Sequence, residues 1–274
     1  MTIAFALLTA LAWGTTELLM LRAAKKLSPV TLGLWLMVLG VVLITPFALA
    51  SGPTPGAGDI GVAVMPALVG LAGSYLYWVA LRRGKLSLVS PTVATSGGIG
   101  ALIAVLVLGE RFELVGVAGI VLAVTGVVLA SFTRVEEPTG VVWAAGAALL
   151  LGLYTVTLAI STERLGAMWS VFSYRITGLV VLAALALATR APLRLAREQV
   201  RQVGGSAVLE TIGFMAFTTA LALGPVAVVA VVTAQFSTVA IALAALVLHE
   251  RLRPHQWAGV AMMIAATSVL GVLQ

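Results

Sequence analysis

The sequence VLGER at residues 107–111 returns 140 residues later as VLHER at residues 247–251. The same offset relates the Ala-Leu pair at 80–81 to the pair at 220–221, and the Ala-Gly pair at 118–119 to the pair at 258–259. The match spans roughly forty residues in each half, which is too much for chance. A period near half of the 274-residue chain predicts two homologous units, residues 1–135 and 136–274.

The composition predicts an integral membrane protein. Hydrophobic residues make up 61% of the chain and charged residues only 9%, about a third of the charge of a soluble domain. Charges, Pro and Gly divide the chain into ten apolar segments, each long enough to cross the hydrocarbon core as a helix. Because lipid offers no partner for free backbone groups, we predict an all-α fold of ten transmembrane helices. Their approximate ranges are 2–22, 30–50, 59–81, 86–108, 113–132, 139–161, 168–189, 204–223, 226–248 and 255–273.

Each repeat has five helices, which is an odd number, so the second repeat must enter the membrane from the opposite side. The two units are therefore predicted to be inverted repeats. Thirteen Lys and Arg residues lie in links after odd-numbered helices, against two in links after even-numbered helices. The positive-inside rule then places both termini outside. The net charge of +6 thus reflects membrane topology instead of nucleic-acid binding, and the lack of cysteine excludes disulfides and thiolate metal sites.

Both halves resemble EamA-type repeats of the drug/metabolite transporter superfamily. In the first half the resemblance rests on the motifs Ala12-Trp13-Gly14, Pro29, Ala80-Leu81, Ser90-Pro91 and Leu108-Gly109-Glu110-Arg111. The second half departs from the pattern, with His249 in place of the motif glycine and no proline in its fourth helix. The resemblance covers essentially the whole chain and implies a ten-helix transporter of small solutes.

The repeated Glu-Arg pairs are interpreted as structural. Glu110 with Arg111, and Glu250 with Arg251, lie at sharp links between two helices, where a carboxylate can accept hydrogen bonds from the free N–H groups of the next helix. A substrate site is expected near the bilayer midplane instead of at this edge. Pro91 removes one helical N–H and loosens its helix. Its role is either in helix packing or in gating.

Three charged residues lie inside the apolar segments and several residues from the nearest link, and these are Glu17, Arg175 and Glu210. A charge facing lipid costs about 2.5 kcal/mol or more, so all three are predicted to face a polar interior or one another. Glu17 and Glu210 lie at similar depth, where adjacent carboxylates could bind and release a proton near neutral pH. Alternatives remain open, because Glu17 could pair with an interfacial cation, and Arg175 could snorkel, or neutralise either Glu210 or a carboxylate on the substrate.

Aromatic and polar residues in the middle of other segments complete the candidate site. Trp13, Tyr77 and Tyr154 combine apolar rings with polar tips, which suits a pocket for a small amphipathic solute. Packing is the alternative role for each of them. Gln235 is long enough to reach a substrate from the ninth helix.

These observations predict a secondary transporter of a small organic solute, such as an amino acid, a metabolite or a drug-like compound. Export across the inner or plasma membrane by alternating access is expected, with proton coupling through Glu17 or Glu210. An uncoupled facilitator or exchanger, or a lipid or lipid-linked-sugar flippase, is the alternative. No catalytic motif, metal site or cofactor is expected beyond the proton. The expected partners are the solute and the bilayer, without nucleic acid, and the chain is expected to be a monomer or a homodimer.

Overall fold

The computed structural model describes residues 1–111, 113–131, 140–248 and 254–272, and every regular element in these residues is helical. The first half contains α1 (Thr2–Lys26), α2 (Pro29–Ala50), a 3₁₀ turn (Ala57–Asp59), α3 (Ile60–Arg83), α4 (Leu86–Ala94), α5 (Ser96–Val107) and α6 (Leu114–Ser131). The second half contains α7 (Val141–Leu165), α8 (Ala167–Thr189), α9 (Arg197–Leu223), α10 (Val226–Thr233), α11 (Phe236–Leu248) and α12 (Pro254–Val272).

The helices form ten membrane-crossing units, five in each half. Eight units in the described residues are long and apolar enough to cross a membrane, and α4 with α5, like α10 with α11, counts as one of them. Helix α6 adds a shorter apolar stretch, Leu114–Gly126, and α12 is the tenth unit. The prediction of an all-α membrane protein with ten transmembrane helices in two inverted five-helix repeats is confirmed.

The packing of the helices follows the two-fold relation between the halves. Helix α1 packs against α9, and its counterpart α7 packs against α3, the counterpart of α9. Helix α2 also packs against its own counterpart α8, and α6 against α12. This exchange of partners is what a two-fold axis in the membrane plane produces. It brings α1, α3, α7 and α9 together at the centre of the protein.

One unit in each half is broken near its middle. Thr95 alone separates α4 from α5, and Ala234 with Gln235 separates α10 from α11. Thr95 and Gln235 are equivalent by the offset of 140 residues. Pro91 lies four residues before the first break, whereas the second break has no proline in its helix. The loss of one N–H at Pro91 is therefore not the common cause of the two breaks.

The two breaks contact each other across the interface between the halves. A Cβ added to Gly97 would lie 2.4 Å from the Cβ of Ala234 and 2.6 Å from the carbonyl oxygen of Ala230. Only glycine permits so close an approach of one helix to the backbone of another. Small side chains thus position both interrupted helices at the centre of the molecule.

Helix α9 begins at Arg197, seven residues before the predicted start at Gly204. The side chain of Gln199 accepts a hydrogen bond from the N–H of Ala196 at 2.8 Å, which stabilises this earlier start. Glu210 consequently lies about 20 Å from the beginning of its helix, at a rise of about 1.5 Å per residue. The predicted position of Glu210 well inside the helix is therefore correct, although the predicted helix boundary is wrong.

Candidate functional site

A central cavity lies between α1, α3, α7, α9 and the two broken units. The centres of water-sized molecules can occupy about 110 Å³ of this cavity, which is room for several waters or a small solute. The cavity is lined by Trp13, Thr16, Glu17, Met20, Ser74, Tyr77, Trp78, Val93, Ser96, Gly97, Leu151, Tyr154, Thr155, Glu210, Phe214, Phe217, Ala230, Thr233, Ala234 and Phe236.

Glu17 is a buried carboxylate whose hydrogen-bond partners are neutral. Only 2% of the residue is exposed, and its side chain contacts residues of α3 and α4. The hydroxyl of Tyr77 donates to one carboxylate oxygen, and the hydroxyl of Ser90 donates to the other at 2.6 Å. Within the described residues no cation pairs with Glu17. Burial of an ionised carboxylate costs several kcal/mol unless a cation compensates it, so Glu17 is suited to gain a positive partner.

Glu210 lines the same cavity in a different electrostatic setting. One of its carboxylate oxygens accepts a hydrogen bond from Nη1 of Arg175 at 2.9 Å. Arg175 is fully buried and lies behind Glu210, outside the cavity lining. Helix α2 leaves room for it, because a Cβ on Gly40 would lie 2.6 Å from Nε of Arg175. The guanidinium carbon also lies 4.8 Å from the ring centroid of Phe214. The charge of Glu210 is therefore already compensated.

Trp13 is part of the cavity wall and is also packed against its neighbours. Its ring meets Phe214 and Phe217 edge-to-face at centroid distances of 5.1 Å, and Phe236 at 6.4 Å. The indole Nε1 has no hydrogen-bond partner among the described residues, and it lies 2.5 Å from where a Cβ on Gly213 would be. Trp13 therefore has both the predicted place in the cavity and the alternative packing role. It can present its ring face to the cavity but not its N–H.

Tyr154 lines the cavity and packs against Tyr174, which is not part of the lining. Their ring centroids are 5.4 Å apart, and the hydroxyl of Tyr174 lies 3.1 Å from that of Ser74. The ring of Tyr154 occupies the space beside Gly70, where a Cβ would lie 2.6 Å from a ring carbon. Gly70 is the residue of the first half that aligns with Glu210. A carboxylate cannot be accommodated at the Gly70 position, which is why the cavity is not symmetric.

The structure brings together most of the residues singled out in the sequence. Glu17, Glu210, Trp13, Tyr77 and Tyr154 all line one cavity. Two predicted members of the site are not part of the lining. Arg175 contacts the lining residues Glu210 and Phe214 but does not itself face the cavity. Gln235 lies at the break between α10 and α11, where its neighbours Thr233, Ala234 and Phe236 provide the lining.

Ser90 is the polar partner that sequence reasoning missed. Its hydroxyl is fully buried and donates to Glu17 from a different helix. The available signal is a small polar residue directly before Pro91 in an otherwise apolar helix. That signal is also typical of packing, so only the contact itself identifies Ser90.

The repeated motif residue Glu110 caps a helix, but not the predicted one. Its two carboxylate oxygens accept hydrogen bonds from the backbone N–H groups of Val226 and Ala227, at 2.6 and 2.9 Å. These residues begin α10 in the other half, whereas the motif predicted the next helix along the chain, α6. The difference arises because α5 packs against α10, which brings the start of α10 to the end of α5. Arg111 is exposed, and Glu250 and Arg251 lie outside the described residues.

Replacement of Glu110 by alanine is expected to destabilise the protein by about 1–2 kcal/mol, because two N–H groups at the start of α10 lose their acceptor. Thermal unfolding in detergent, followed by tryptophan fluorescence, measures the effect as a lower Tm. Glu113→Ala is the matched control, since Glu113 is an exposed carboxylate close to the same link. Equal Tm values for the two variants would contradict the capping role.

The fold and the cavity define the class of protein: a multi-pass membrane protein of two inverted repeats that enclose a central cavity lined by aromatic and acidic side chains. Comparison with protein families extends this description. The family model "EamA-like transporter family" matches residues 1–132 and again residues 138–272. The chain therefore belongs to the EamA-like transporter family, and it is a transporter of small solutes of the drug/metabolite type.

Comparison with solved structures supports the same fold. A structure described only as "Crystal structure of protein" aligns with a TM-score of 0.80 over 99% of this chain and 96% of the other, at 16% sequence identity. At this identity the likeness concerns the fold alone. No curated protein sequence matches the chain significantly.

Proposed function

We propose that the protein is a secondary transporter that exports a small organic solute across the inner or plasma membrane by alternating access, coupled to protons through Glu17. The observation that carries this proposal is the buried Glu17 carboxylate, which faces the cavity and has neutral partners in Tyr77 and Ser90. A carboxylate that faces the solute cavity can hold either a proton or a solute. It can therefore link the movement of the solute to the movement of protons.

The structure favours Glu17 over Glu210 as the coupling residue. Glu210 already has its charge compensated by Arg175 at 2.9 Å. The charge of Glu17, by contrast, is compensated only when a cation or a proton arrives. Of the two carboxylates proposed from the sequence, Glu17 is therefore the one whose protonation responds to the contents of the cavity.

Inverted repeats support an alternating-access mechanism. In such proteins the two halves exchange conformations, which opens a central site first to one side and then to the other. The breaks at Thr95 and Gln235 occur at equivalent places, and the lining of the cavity includes residues next to both. A change of angle at these breaks would move the cavity wall without unfolding either helix.

The test is transport by purified protein in liposomes. A panel of amino acids, amines and other small metabolites is offered with and without a pH gradient across the membrane. We expect accumulation of at least one solute that depends on the gradient. Transport without any response to the gradient would leave an uncoupled facilitator, and movement of fluorescent lipid without any solute would identify a flippase.

The orientation gives a separate prediction. Because thirteen Lys and Arg residues lie in links after odd-numbered helices, we expect both termini outside the cytoplasm. A fluorescent protein that matures only in the cytoplasm should be dark when fused to the C-terminus. The same reporter inserted into the link 191–196 between α8 and α9 is the control and should be bright. A bright C-terminal fusion with a dark insertion would reverse the assignment.

A further inference from the structure

We propose that the seam between α1 and α9 binds an anionic glycerophospholipid on the lipid-facing surface of the protein. The phosphate of its headgroup is held by four cations, Arg22, Lys26, Arg197 and Arg201, and one acyl chain lies in a depression at Gly204. The site is separate from the central cavity and does not depend on which solute is transported. The proposal is carried by the course of two lipid-facing helix faces, by the charge balance of the cations and by the open space beside Gly204.

The lipid-facing side of α1 ends in two cations. The exposed residues Leu8, Leu11 and Leu19 lie on one helical face, and Arg22 and Lys26 continue that face at steps of three and four residues. Exposed leucines on a membrane-spanning helix face the hydrocarbon of the bilayer. Both cations are exposed, and they lie where this face leaves the hydrocarbon and enters the headgroup region.

The lipid-facing side of α9 begins with two cations. Arg197, Arg201, Gly204, Val208 and Ile212 follow one another at steps of three or four residues, so they share one face of the helix. The side chains of Val208 and Ile212 are exposed, which shows that this face also meets lipid. The order is the reverse of that in α1, because the cations precede the apolar residues.

The contact between α1 and α9 places the four cations at one depth. An added Cβ on Gly205 would lie 3.6 Å from the Cδ1 atom of Leu19, which marks the seam between these antiparallel helices. Arg22 follows Leu19 by three residues and Arg201 precedes Gly205 by four, so the two cations are level to within about 1.5 Å. Helices in contact have axes about 8–10 Å apart, a distance that long side chains from both helices can span to reach one phosphate.

The four cations have no ionic partner within the described residues, unlike other cations at the same edge. Lys25 donates to backbone carbonyls at the end of α3, and the guanidinium of Arg83 lies 5.0 Å from the ring centroid of Trp143. The neighbouring acid Glu198 instead accepts a hydrogen bond from Gln202 at 3.1 Å. A phosphate supplies the missing negative charge, and an arginine can bind it through two parallel N–H donors.

Gly204 lies one turn after Arg201 on the face that meets lipid. A Cβ added at Gly204 would have no atom within 4 Å, whereas a Cβ on Gly40 or Gly97 would clash with a neighbouring helix. Close helix packing therefore does not require this glycine, which is otherwise unfavourable inside a helix. The missing side chain leaves a depression between Arg201 and Val208, on the hydrocarbon side of the cations. An acyl chain lies there when the headgroup binds.

Native mass spectrometry of the purified full-length protein in neutral detergent measures the bound lipids and their affinities. Dioleoyl phosphatidylglycerol is compared with dioleoyl phosphatidylcholine, which has the same acyl chains and no net charge, and with glycerol phosphate, which has no acyl chain. We expect phosphatidylglycerol to bind about tenfold more tightly than phosphatidylcholine, and glycerol phosphate not to saturate any site. Equal affinities of the two lipids would overturn the proposal. Binding of glycerol phosphate as tight as that of phosphatidylglycerol would also overturn it, in favour of a site for free phosphate esters.

Paired substitutions of arginine locate the site. Arg197→Gln combined with Arg201→Gln should reduce the preference for phosphatidylglycerol to about twofold or less. Arg82→Gln combined with Arg111→Gln removes the same amount of charge from exposed positions elsewhere and should keep the preference. An equal loss in both double variants would reveal a general effect of net charge and would rule out a site at this seam.

Gly204→Leu tests the depression without any change of charge. A leucine has free space at this position and favours a helix more than glycine does, so the Tm in detergent should be unchanged or higher. We expect the affinity for phosphatidylglycerol to fall at least about fivefold, because the new side chain takes the place of the acyl chain. An unchanged affinity would overturn the assignment of the acyl chain to this depression.

Discussion

Replacement of Glu210 by glutamine is expected to reduce the free energy of unfolding by about 3–5 kcal/mol, the largest stability effect that we predict for a single residue. The loss does not come mainly from the missing hydrogen bond. It comes from Arg175, which is fully buried and would keep its positive charge without a counter-ion. Its Nε and Nη2 atoms have no hydrogen-bond partner among the described residues, and within those residues Glu210 is the carboxylate that pairs with it.

A double variant distinguishes a buried charge from a cavity defect. Arg175→Met combined with Glu210→Gln removes both charges and keeps most of the side-chain volume. We expect its Tm in detergent to recover most of the loss seen with Glu210→Gln alone, because the energetic coupling between the two residues is large. If the two substitutions instead add independently, the ion pair does not stabilise the junction between α8 and α9.

Replacement of Glu17 by glutamine is expected to reduce proton-driven solute uptake to the level of protein-free liposomes. Glutamine keeps the size of glutamate and retains an oxygen that can accept from Ser90, but it cannot exchange a proton. The fold should therefore persist. Its stability should be unchanged or slightly higher, since a buried carboxylate without a cation is replaced by a neutral amide.

Uptake and stability must be measured on the same preparation. Glu163→Gln is the matched control, because it makes the same chemical change at an exposed position on α7 and should transport like the unmodified protein. Tyr77→Phe provides an intermediate variant, since it removes one of the two hydroxyls that donate to Glu17 and leaves the carboxylate in place. Full gradient-driven uptake by a folded Glu17→Gln protein would show that the coupling group lies elsewhere.

The two acidic residues show what sequence reasoning could distinguish and what it could not. Glu17 and Glu210 are equivalent as a pattern, because each is a single carboxylate in a long apolar segment. Their burial in a common interior follows from the cost of a charge in lipid, and this much is predictable. Which of them is compensated depends on the reach of Arg175 across the interface between α8 and α9, and no local pattern contains that distance.

Glu110 shows the same division in the scaffold. A carboxylate at a sharp link predicts a helix cap, and the side chain does accept two backbone hydrogen bonds. The capped helix is nevertheless α10, more than a hundred residues away along the chain, because the two halves interlock. Packing between the two halves thus places Glu110 at the start of a distant helix instead of at the start of the next helix along the chain.

The sequence by itself determined the membrane environment, the helical fold and the two-fold repeat. These properties follow from the lengths of apolar segments, from the odd number of helices per repeat and from the cost of free backbone groups in lipid. Only the tertiary structure decided the contents of the site. The positions of Ser90 beside Glu17 and of Arg175 behind Glu210 are contacts between helices, and they depend on how closely glycines such as Gly40 allow those helices to approach.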